Sequence, residues 1–368
     1  MFSSREGFTL DAVAGPVRSL LLNPFINVAI ATLLSTQPTL AYIYTRLPSI
    51  DPISIKILAL GSAYLLALGS IILSLNDYLN RQFANNWVAD NTWDWDKEIV
   101  VVTGGSSGIG ASISQQLLAK NPRTRIVIVD IVPLTWKPAA DARVSYYQCD
   151  LTDSPAIKAT FARIRDEVGD PTVLFNNAGL IRGTSIMEGS YADVEITVRA
   201  NLIAPMLVLK EVLPAMVRND HGHILHTGSL SCLTPPALIA DYSATKAGLL
   251  ALHEALQLEL KDIHNAPRVR LTMGIFSFIR TPLIKGHPNL PNFIAPFLHV
   301  DSVGERLVNA VYSGYGSTIF MPGIAGYLVL LKGGPYWLFH LVRQGTAVFA
   351  IDYRGRQNLD KQTGKLDI

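Results

Sequence analysis

The sequence has few charged residues, and their signs nearly cancel. Asp, Glu, Lys and Arg make up 16% of the 368 residues and the formal net charge is +2, whereas about 25% of an average soluble domain is charged. Such a chain lacks the basic face typical of nucleic-acid-binding proteins, so no nucleic-acid partner is expected. Cysteine is also scarce. The two residues, Cys149 and Cys232, exclude a disulfide scaffold and are expected to be buried small hydrophobes.

The charge deficit is concentrated near the N-terminus. No charged side chain occurs in the stretches 19–45 and 57–76. The run Ile57–Leu75 is long enough to cross about 30 Å of hydrocarbon as a helix, and a buried soluble helix is the alternative. Asn and Pro residues interrupt the run Leu20–Tyr44, which is therefore predicted as a kinked span, a re-entrant segment or an interfacial helix.

These runs predict a membrane anchor over residues 1–80, followed by a linker over 81–97. If both runs cross, the short link Arg46–Lys56 makes a hairpin, and the N-terminus lies on the same side as the rest of the chain. A cleaved signal peptide is poorly supported, because Glu6 and Asp11 stand where a positive leader is needed. The tryptophans at 87, 93 and 95 either mark the membrane interface or pack against the following domain.

Strand-like and helix-like segments alternate from Glu98 onward, which predicts a domain over 98–322 and a separate apolar tail over 323–368. The strand candidates are Ile99–Val102, Arg125–Val129, Val144–Gln148, Thr172–Phe175, His223–His226, Val269–Ile275 and Thr318–Met321. The helix candidates include Gly108–Lys120, Ser154–Val168, Tyr191–Val217 and Tyr242–Ile263. This alternation is typical of an α/β fold of the Rossmann type, a doubly wound parallel sheet with helices on both faces.

A glycine-rich turn joins the first strand to the first helix of this domain. A helix N-terminus presents free N–H groups and partial positive charge, so it favours a phosphate. Glycines there allow a tight turn, approach of backbone to the pyrophosphate, and close helix–strand packing. The residues expected to contact a dinucleotide are Thr103, Gly104, Ser106, Ser107, Gly108, Ile109 and Gly110.

Asp130 ends the second strand, about twenty residues beyond the glycine turn. A carboxylate in this place accepts hydrogen bonds from the adenosine ribose and repels a 2′-phosphate. The sequence therefore favours NAD over NADP. The alternative is a helix N-cap or an ordinary surface residue.

Tyr242 and Lys246 are four residues apart in a predicted helix, so they share a face. A nearby ammonium stabilises a phenolate and lowers the tyrosine pKa from about 10 toward the range useful for acid–base catalysis. Ser229 lies just after the fifth strand, where its hydroxyl can hydrogen-bond a substrate oxygen. The alternatives are an exposed helix pair and a turn serine.

These motifs together resemble the classical short-chain dehydrogenase/reductase family over about Lys97–Pro322. The resemblance is carried by the glycine turn, the Cys149–Asp153 segment, the Asn176–Gly179 segment, Asn201, Ser229 and the Tyr242–Lys246 segment. It implies hydride transfer between an alcohol or carbonyl carbon and NAD(P). It further implies that Lys246 bonds the nicotinamide ribose and that Asn201 holds a water linking this lysine to solvent.

Other cofactor contacts follow from the resemblance. Asp150 and Leu151 are expected at the adenine edge, although Asp150 alternatively caps the helix near Ser154. Asn177, Ala178 and Gly179 are expected to stabilise the central sheet and approach the cofactor, and Thr281 to contact the nicotinamide amide. The family also suggests a homodimer through the helices that hold Asn201 and Tyr242.

One position departs from the family pattern. Phe276–Ser277 stands where the family has Pro-Gly, which is expected to alter the seat of the nicotinamide ring. The following segment is rich in proline (288, 291, 296) and predicts a substrate lid. Its apolar residues suit a hydrophobic ligand or pack onto the domain; they are Leu290, Phe293, Ile294, Phe297 and Leu298.

The apolar ends resemble the membrane-associated branch of the family that contains retinol and hydroxysteroid dehydrogenases. This resemblance implies a lipophilic substrate such as a retinoid, steroid, fatty or terpenoid alcohol, and a membrane of the endoplasmic reticulum or lipid droplets. Two alternatives are a reductase of secondary metabolites and a catalytically silent, nucleotide-binding membrane scaffold. No metal site is expected, because His223 and His226 lie three apart on a strand and face opposite ways; His221 is read as structural.

Overall fold

The structure, a computed structural model, describes residues 5–36, 52–284, 286, 290–345, 358–359 and 366–367. The chain divides into two compact units. One contains residues 1–4 and 8–83, and the other contains residues 5–7 and 84–368. The division between residues 83 and 84 lies within the predicted linker 81–97.

The first unit contains two short helices, α1 (Leu10–Leu21) and α2 (Pro24–Leu34). Asn23 separates them: its side chain accepts the N–H groups of the first turn of α2, and the two axes bend by 48°. Together, α1 and α2 are apolar and long enough to form one kinked membrane span or a re-entrant loop. The predicted run Leu20–Tyr44 is therefore kinked where Asn and Pro interrupt it; its residues 37–44 lie outside the described residues.

A single long helix, α3 (Pro52–Ala84), contains the predicted span Ile57–Leu75. Its segment Leu58–Ala84 contains an 18-residue window with a mean hydropathy of 2.0 and is long enough to cross a bilayer. Only 17% of this apolar window is buried, so packing does not support the alternative of a buried soluble helix. Residues 46–51 of the predicted link Arg46–Lys56 lie outside the described residues, and residues 52–56 belong to α3.

Small side chains form the contact between α2 and α3. Ala31, Ala63 and Ala67 make one buried cluster, and small residues let helix backbones approach closely in an apolar medium. Asn27 is also buried, and its amide donates to the carbonyls of Leu21 and Leu66. The polar side chain is thereby satisfied inside the unit.

A seven-stranded, wholly parallel sheet forms the centre of the second unit, in the order β3-β2-β1-β4-β5-β6-β7. The strands are β1 (Ile99–Thr103), β2 (Arg125–Asp130), β3 (Val144–Gln148), β4 (Val173–Asn176), β5 (Gly222–Ser229), β6 (Val269–Phe276) and β7 (Ser317–Met321). All seven predicted strands are confirmed, with ends that differ by three residues at most. The predicted doubly wound sheet is confirmed as well.

Helices cover both faces of this sheet. The helices of this unit before β7 are α4 (Gly108–Lys120), α5 (Ser154–Glu167), α6 (Tyr191–Val198), α7 (Ala204–Asn219), α8 (Ala240–Leu258) and α9 (Val300–Tyr312), and after β7 come α10 (Leu328–Lys332) and α11 (Tyr336–Gln344). Short π-helical segments, Arg199–Ile203 and Glu259–Ile263, follow α6 and α8 within helices that the sequence predicts as continuous. The helix α9 was not predicted. Two-residue strands at Asn358–Leu359 and Leu366–Asp367 pair antiparallel.

The core has two layers, one on each face of the sheet. Along β1, Val101 packs in one cluster and Val100 and Val102 in the other; along β5, Ile224 and Leu225 separate in the same way. Strands buried on both faces read as continuous apolar runs, which is why the sequence identifies them.

The helical segment Tyr191–Asn219 also meets the length and hydropathy criteria for a span. Half of its apolar window is buried, however, and Val208, Val212 and Met216 pack in the core with the sheet. Its apolar character is thus accounted for by packing inside the domain.

The segment that follows α3 packs onto the domain. Asn85 exchanges two hydrogen bonds with the backbone of Gly316, at 2.7 and 3.1 Å, and the buried Arg270 donates to the carbonyls of Asn85 and Val88. The predicted linker therefore contains residues held firmly at the amino end of the sheet.

The tryptophans of this segment differ in their surroundings. Trp95 stacks on Tyr312 with ring centroids 3.9 Å apart, and Trp93 lies 4.4 Å from the ring of His221. Trp87 remains 55% exposed. Of the two alternatives, packing against the domain holds for Trp93 and Trp95.

Candidate active site

The glycine turn between β1 and α4 forms a cradle that fits a phosphate. Gly104 has φ +66°, and a Cβ on Gly110 would lie 2.2 Å from the Gly104 carbonyl oxygen, so only glycine lets α4 pack on the turn. Ser107 is the N-cap of α4 but makes no side-chain capping bond among the described residues. The N–H groups of the first turn are therefore left for a ligand, which fits a dinucleotide pyrophosphate.

Thr103 connects the turn to the end of β4. Its hydroxyl donates to the Phe175 carbonyl and accepts the N–H groups of Asn177 and Ala178 at 3.0 and 3.1 Å. The Asn177 amide in turn donates to the carbonyls of Thr103 and Gly104. These hydrogen bonds show that Asn177 and Ala178 stabilise the central sheet, as predicted. Their contact with the cofactor stays a prediction.

Asp130 is nearly buried and anchors the glycine turn. Its carboxylate accepts the N–H of Ser106 at 2.9 Å and of Val132 at 3.2 Å. With 9% of the residue exposed and a loop following β2, it is neither a helix N-cap nor a surface residue. A carboxylate has about four acceptor positions, so it can still accept ribose hydroxyls.

The loop after Asp130 packs over the glycine turn, a contact that was not predicted from the sequence. The Trp136 indole donates to the Gly105 carbonyl at 3.1 Å, and Thr135 donates to the Ser106 carbonyl through both N–H and hydroxyl. These are long-range contacts to backbone atoms, for which no local sequence pattern gives a signal.

Asp150 holds its own turn after β3. Its Oδ1 accepts the N–H and the hydroxyl of Thr152 at 2.8 and 2.7 Å. The cap of α5 is instead Asp153, which accepts the N–H of Ala156, so the capping alternative for Asp150 is wrong. Leu151 is half-buried against the core. Their contact with adenine stays a prediction.

One cavity of about 420 Å³ brings the predicted catalytic residues together. Ser229, Tyr242 and Lys246 all line it, although they come from β5 and α8. The predicted cofactor residues Ile109, Asn177, Gly179 and Thr281 line the same cavity. Residues from four distant parts of the sequence, around positions 109, 177–179, 229–246 and 281, therefore surround one space at the carboxyl ends of the strands.

Lys246 lies inside this wall and is only 5% exposed. Its Nζ donates to the Thr227 carbonyl at 2.8 Å and lies 5.5 Å from the centroid of the Tyr242 ring. Burial lowers the lysine pKa from 10.5 to about 8, so the ammonium form still predominates at neutral pH. The alternative of an exposed helix pair is wrong for this lysine.

Ser229 and Tyr242 present hydroxyl groups to the cavity. Ser229 is the last residue of β5, and its Oγ accepts the N–H of Ser231 at 3.2 Å. Tyr242 stands in the first turn of α8 and is half-buried. Their acid–base and substrate-binding roles stay predictions.

Asn201 is fully buried in the π-helical segment after α6. Its side chain makes two hydrogen bonds of 2.8 Å with the backbone of Leu180. A Cβ on Gly179 would lie 3.1 Å from Asn201 Oδ1 and 3.7 Å from Lys246 Nζ. Gly179 thus separates the two side chains. Asn201 lies in a π-helical segment, whereas the sequence predicts a regular helix there.

Phe276 packs in the core at the end of β6 and lines the cavity. A Cβ on Gly274 would lie 2.4 Å from the Phe276 ring, so glycine at 274 makes room for it. Thr281 still faces the glycine turn, since a Cβ on Gly108 would lie 3.6 Å from its methyl group. The predicted effect of Phe276 on the nicotinamide seat remains a prediction.

The histidines near this region do not form a metal site among the described residues. His223 hydrogen-bonds Thr272, and His226 lies across the sheet against His253 with ring centroids 5.4 Å apart. Burial lowers the pKa of His223 to about 3 and that of His253 to about 4. His221 contacts the carboxylate of Glu98 and is separate from this group.

The predicted lid residues take three different positions. Leu290 lines the cavity, Phe297 and Leu298 are buried in the domain, and Phe293 and Ile294 are 39% and 49% exposed. Plain packing therefore holds for Phe297 and Leu298, and ligand contact by the segment stays a prediction. Residues 285 and 287–289, which include Pro288, lie outside the described residues.

Comparison with known proteins agrees with this arrangement. The family described as short chain dehydrogenase matches residues 98–286. Dehydrogenase RED2 of Cochliobolus heterostrophus is 35% identical over 54% of this chain and 75% of its own length. Estradiol 17-beta-dehydrogenase 11 of Rattus norvegicus and epidermal retinol dehydrogenase 2 of Homo sapiens are each 28% identical over 64% of this chain, and over 78% and 77% of their lengths.

Solved structures share the fold. A short chain dehydrogenase/reductase from Burkholderia phymatum, in complex with NAD, has a TM-score of 0.56 and 20% identity, covering 65% of this chain and 94% of its own. A short-chain dehydrogenase from Sphingobium yanoikuyae, in complex with NADPH, has a TM-score of 0.53 and 22% identity. The match covers 68% of this chain and 98% of that protein. The chain belongs to the short-chain dehydrogenase family and is an NAD(P)-dependent oxidoreductase acting on CH–OH groups.

Proposed function

We propose that this protein is a membrane-anchored dehydrogenase or reductase that uses NAD(H) on a lipophilic alcohol, ketone or aldehyde of the retinoid, steroid, fatty or terpenoid type. The observation that carries the proposal is one cavity in which Ser229, Tyr242 and Lys246 meet a largely apolar wall. The apolar part of that wall includes Ile181, Leu230, Ile239, Phe278, Leu283 and Ile284.

Tyr242 is the acid–base residue in this proposal. Its phenolate takes the alcohol proton during oxidation and becomes the hydroxyl, and this hydroxyl donates the proton to the carbonyl oxygen during reduction. The Lys246 ammonium favours the phenolate form, and Ser229 donates a hydrogen bond to the substrate oxygen. Asn201 holds the backbone of Leu180, the neighbour of Gly179, and in this proposal it also holds the water through which the lysine exchanges protons.

The glycine turn, Asp130 and Thr281 are the residues that hold the cofactor in this proposal. The nicotinamide group, when bound, exchanges the hydride with the substrate carbon. Leu151 and Asp150 lie at the adenine side, and Asn177, Ala178 and Gly179 at the ribose side. A Lys246 hydrogen bond to the ribose completes the set.

The position of Asp130 supports NAD over NADP. Its charge sits beside the turn where a 2′-phosphate would lie, and it repels that phosphate. The test compares kcat/KM with NAD and NADP in the wild type and in Asp130→Asn. We expect a wild-type preference for NAD that falls by about tenfold or more in the variant. A wild-type preference for NADP contradicts the argument.

The cavity supports a lipophilic substrate. Its volume of about 420 Å³ lies in the range of sites for small organic molecules, and relatives named for estradiol and retinol match 64% of this chain at 28% identity. A panel of lipid alcohols and ketones in liposomes, compared with a short water-soluble alcohol, tests this class. Equal kcat/KM for both groups contradicts it.

Helix α3, together with the bent pair α1–α2, supports a membrane anchor over residues 1–80. We propose that the protein lies in the membrane of the endoplasmic reticulum or of lipid droplets and forms a homodimer through the helices of Asn201 and Tyr242. Extraction of membranes at alkaline pH tests the anchor, since a spanning protein stays in the pellet. Recovery in the supernatant overturns this part.

The decisive experiment on the chemistry is Tyr242→Phe. The substitution keeps the ring and removes the hydroxyl, so turnover is expected to vanish while NADH binding, followed by fluorescence, stays within about twofold. Full activity in the variant refutes the mechanism. Absence of hydride transfer in the wild type, with intact NADH binding, supports the alternative of a silent nucleotide-binding scaffold.

A further inference from the structure

The chain after β7 forms an exposed apolar surface that the catalytic site does not use. A 3₁₀ turn (Gly323–Tyr327), α10 and α11 follow one another closely. Leu330, Tyr336 and Trp337 are 72%, 72% and 65% exposed. We call this the C-terminal apolar surface; its members are Ile324, Tyr327, Val329, Leu330, Tyr336, Trp337 and Leu341.

The helix α11 carries apolar residues on both faces. Phe339 is buried and Val342 is half-buried, so they face the domain. Tyr336, Trp337 and Leu341 point outward, where an ordinary surface helix has polar residues. An exposed apolar face of this kind indicates a surface that binds a protein or a membrane.

The charge pattern selects the occupant. No Asp or Glu occurs between Leu307 and Ile351, whereas Lys332 and Arg343 are present. The Lys332 ammonium donates one hydrogen bond to the Cys232 carbonyl at 3.2 Å, and the Arg343 guanidinium lies over the Phe339 ring. Tyr and Trp are enriched where proteins meet the lipid headgroups, and cationic residues are attracted to anionic lipids. Among the possible occupants, an anionic bilayer surface matches both the aromatic and the charge character.

The same helix also forms a wall of the substrate cavity. Val342 and Gly345 line the cavity from the side of α11, and Leu290 and Ala295 line it from the lid segment. One face of α11 thus borders the catalytic space while its other face is apolar and exposed. Substrate dissolved in lipid would have a short apolar route between the two.

We propose that the C-terminal apolar surface docks on an anionic bilayer and that a lipid-borne substrate enters the cavity past α11. The docking contact is separate from the anchor of α3 and sets the orientation of the cavity mouth toward the lipid. The entry route rests on the proposed function; the docking contact does not.

The docking contact can be measured on the full chain in vesicles of phosphatidylcholine and phosphatidylserine. Nitroxide labels are placed at Leu330→Cys and Leu341→Cys, with Ile263→Cys as the matched control because Ile263 is also 72% exposed. The native Cys149 and Cys232 are buried and replaced by alanine. We expect the first two labels to be relaxed by oxygen and protected from a water-soluble nickel chelate, and the control to show the reverse.

Three results overturn the docking proposal. Equal exposure of all three labels to the nickel chelate means that no bilayer covers the surface. Equal protection in vesicles of pure phosphatidylcholine removes the role of anionic lipid. Spin–spin broadening between copies, unchanged by the lipid used, means that a second chain covers the surface instead.

The entry route is tested by Leu330→Glu combined with Leu341→Glu. We expect the KM for a long-chain alcohol in vesicles to rise about tenfold, because charge placed at the bilayer is unfavourable. The KM for a short water-soluble alcohol should not change, which also reports that the variant is folded. An unchanged KM of the variant for the long-chain alcohol overturns the entry route. If the wild type turns over neither alcohol, the proposed function has failed. The spin-label result on the docking contact is independent of that outcome.

Discussion

Replacement of Lys246 by methionine tests the burial of its ammonium. The folded-state pKa of about 8 lies below the ordinary value of 10.5, a difference that corresponds to about 3 kcal/mol. The unfolded chain therefore binds more protons than the folded one between these values, and the stability of the wild type rises with pH across that window. Below pH 8 the buried charge is unfavourable, and above pH 10.5 its cost has gone.

Lys246→Met cannot titrate at this position, so it lacks this part of the pH dependence. We expect the unfolding free energy of the wild type, relative to the variant, to increase by about 3 kcal/mol between pH 7 and pH 10.5. Urea unfolding of the cofactor-free protein in detergent, followed by tryptophan fluorescence at several pH values, measures it. Lys158→Met, at an exposed position of α5, should track the wild type. A constant difference between wild type and Lys246→Met refutes the buried ammonium.

Three further substitutions test contacts of the site. Gly110→Ala brings a Cβ against the Gly104 carbonyl, so NADH binding measured by fluorescence should be lost; binding within twofold of the wild type contradicts the cradle. Gly274→Ala should destabilise the domain by about 1–3 kcal/mol through the Phe276 ring, and in the background of Phe276→Ala its cost in urea unfolding should largely disappear. Asn201→Ala leaves the buried backbone of Leu180 without two hydrogen bonds and should cost about 1–3 kcal/mol together with a fall in kcat; unchanged values of both contradict its role.

The sheet and the glycine turn could be predicted because their signals are local. A strand such as β1 is buried along its whole length, so it reads as an apolar run, and the helix α4 was predicted with its observed ends. The pairing of Tyr242 with Lys246 also follows from helical spacing alone.

The helix α9 shows where local signals failed. Val303, Leu307 and Val311 are buried at helical spacing, but the helix begins at His299, whose side chain is an uncommon N-cap. The prolines before it directed the interpretation to a lid. Contacts such as Trp136 with the Gly105 carbonyl depend on residues far apart in sequence, and no spacing rule predicts them.

The surroundings of Lys246 explain why a costly buried charge is compatible with the fold. Among the described residues, no Asp or Glu oxygen lies within ion-pair distance of its Nζ, and the hydrogen-bond partner is the neutral Thr227 carbonyl. A carboxylate at this place would neutralise the ammonium and leave little of its field for Tyr242. With no carboxylate beside it, the Lys246 charge faces the Tyr242 ring, whose centroid lies 5.5 Å from Nζ. In the proposed mechanism this uncompensated ammonium stabilises the phenolate, which is where the proposed proton transfer needs it.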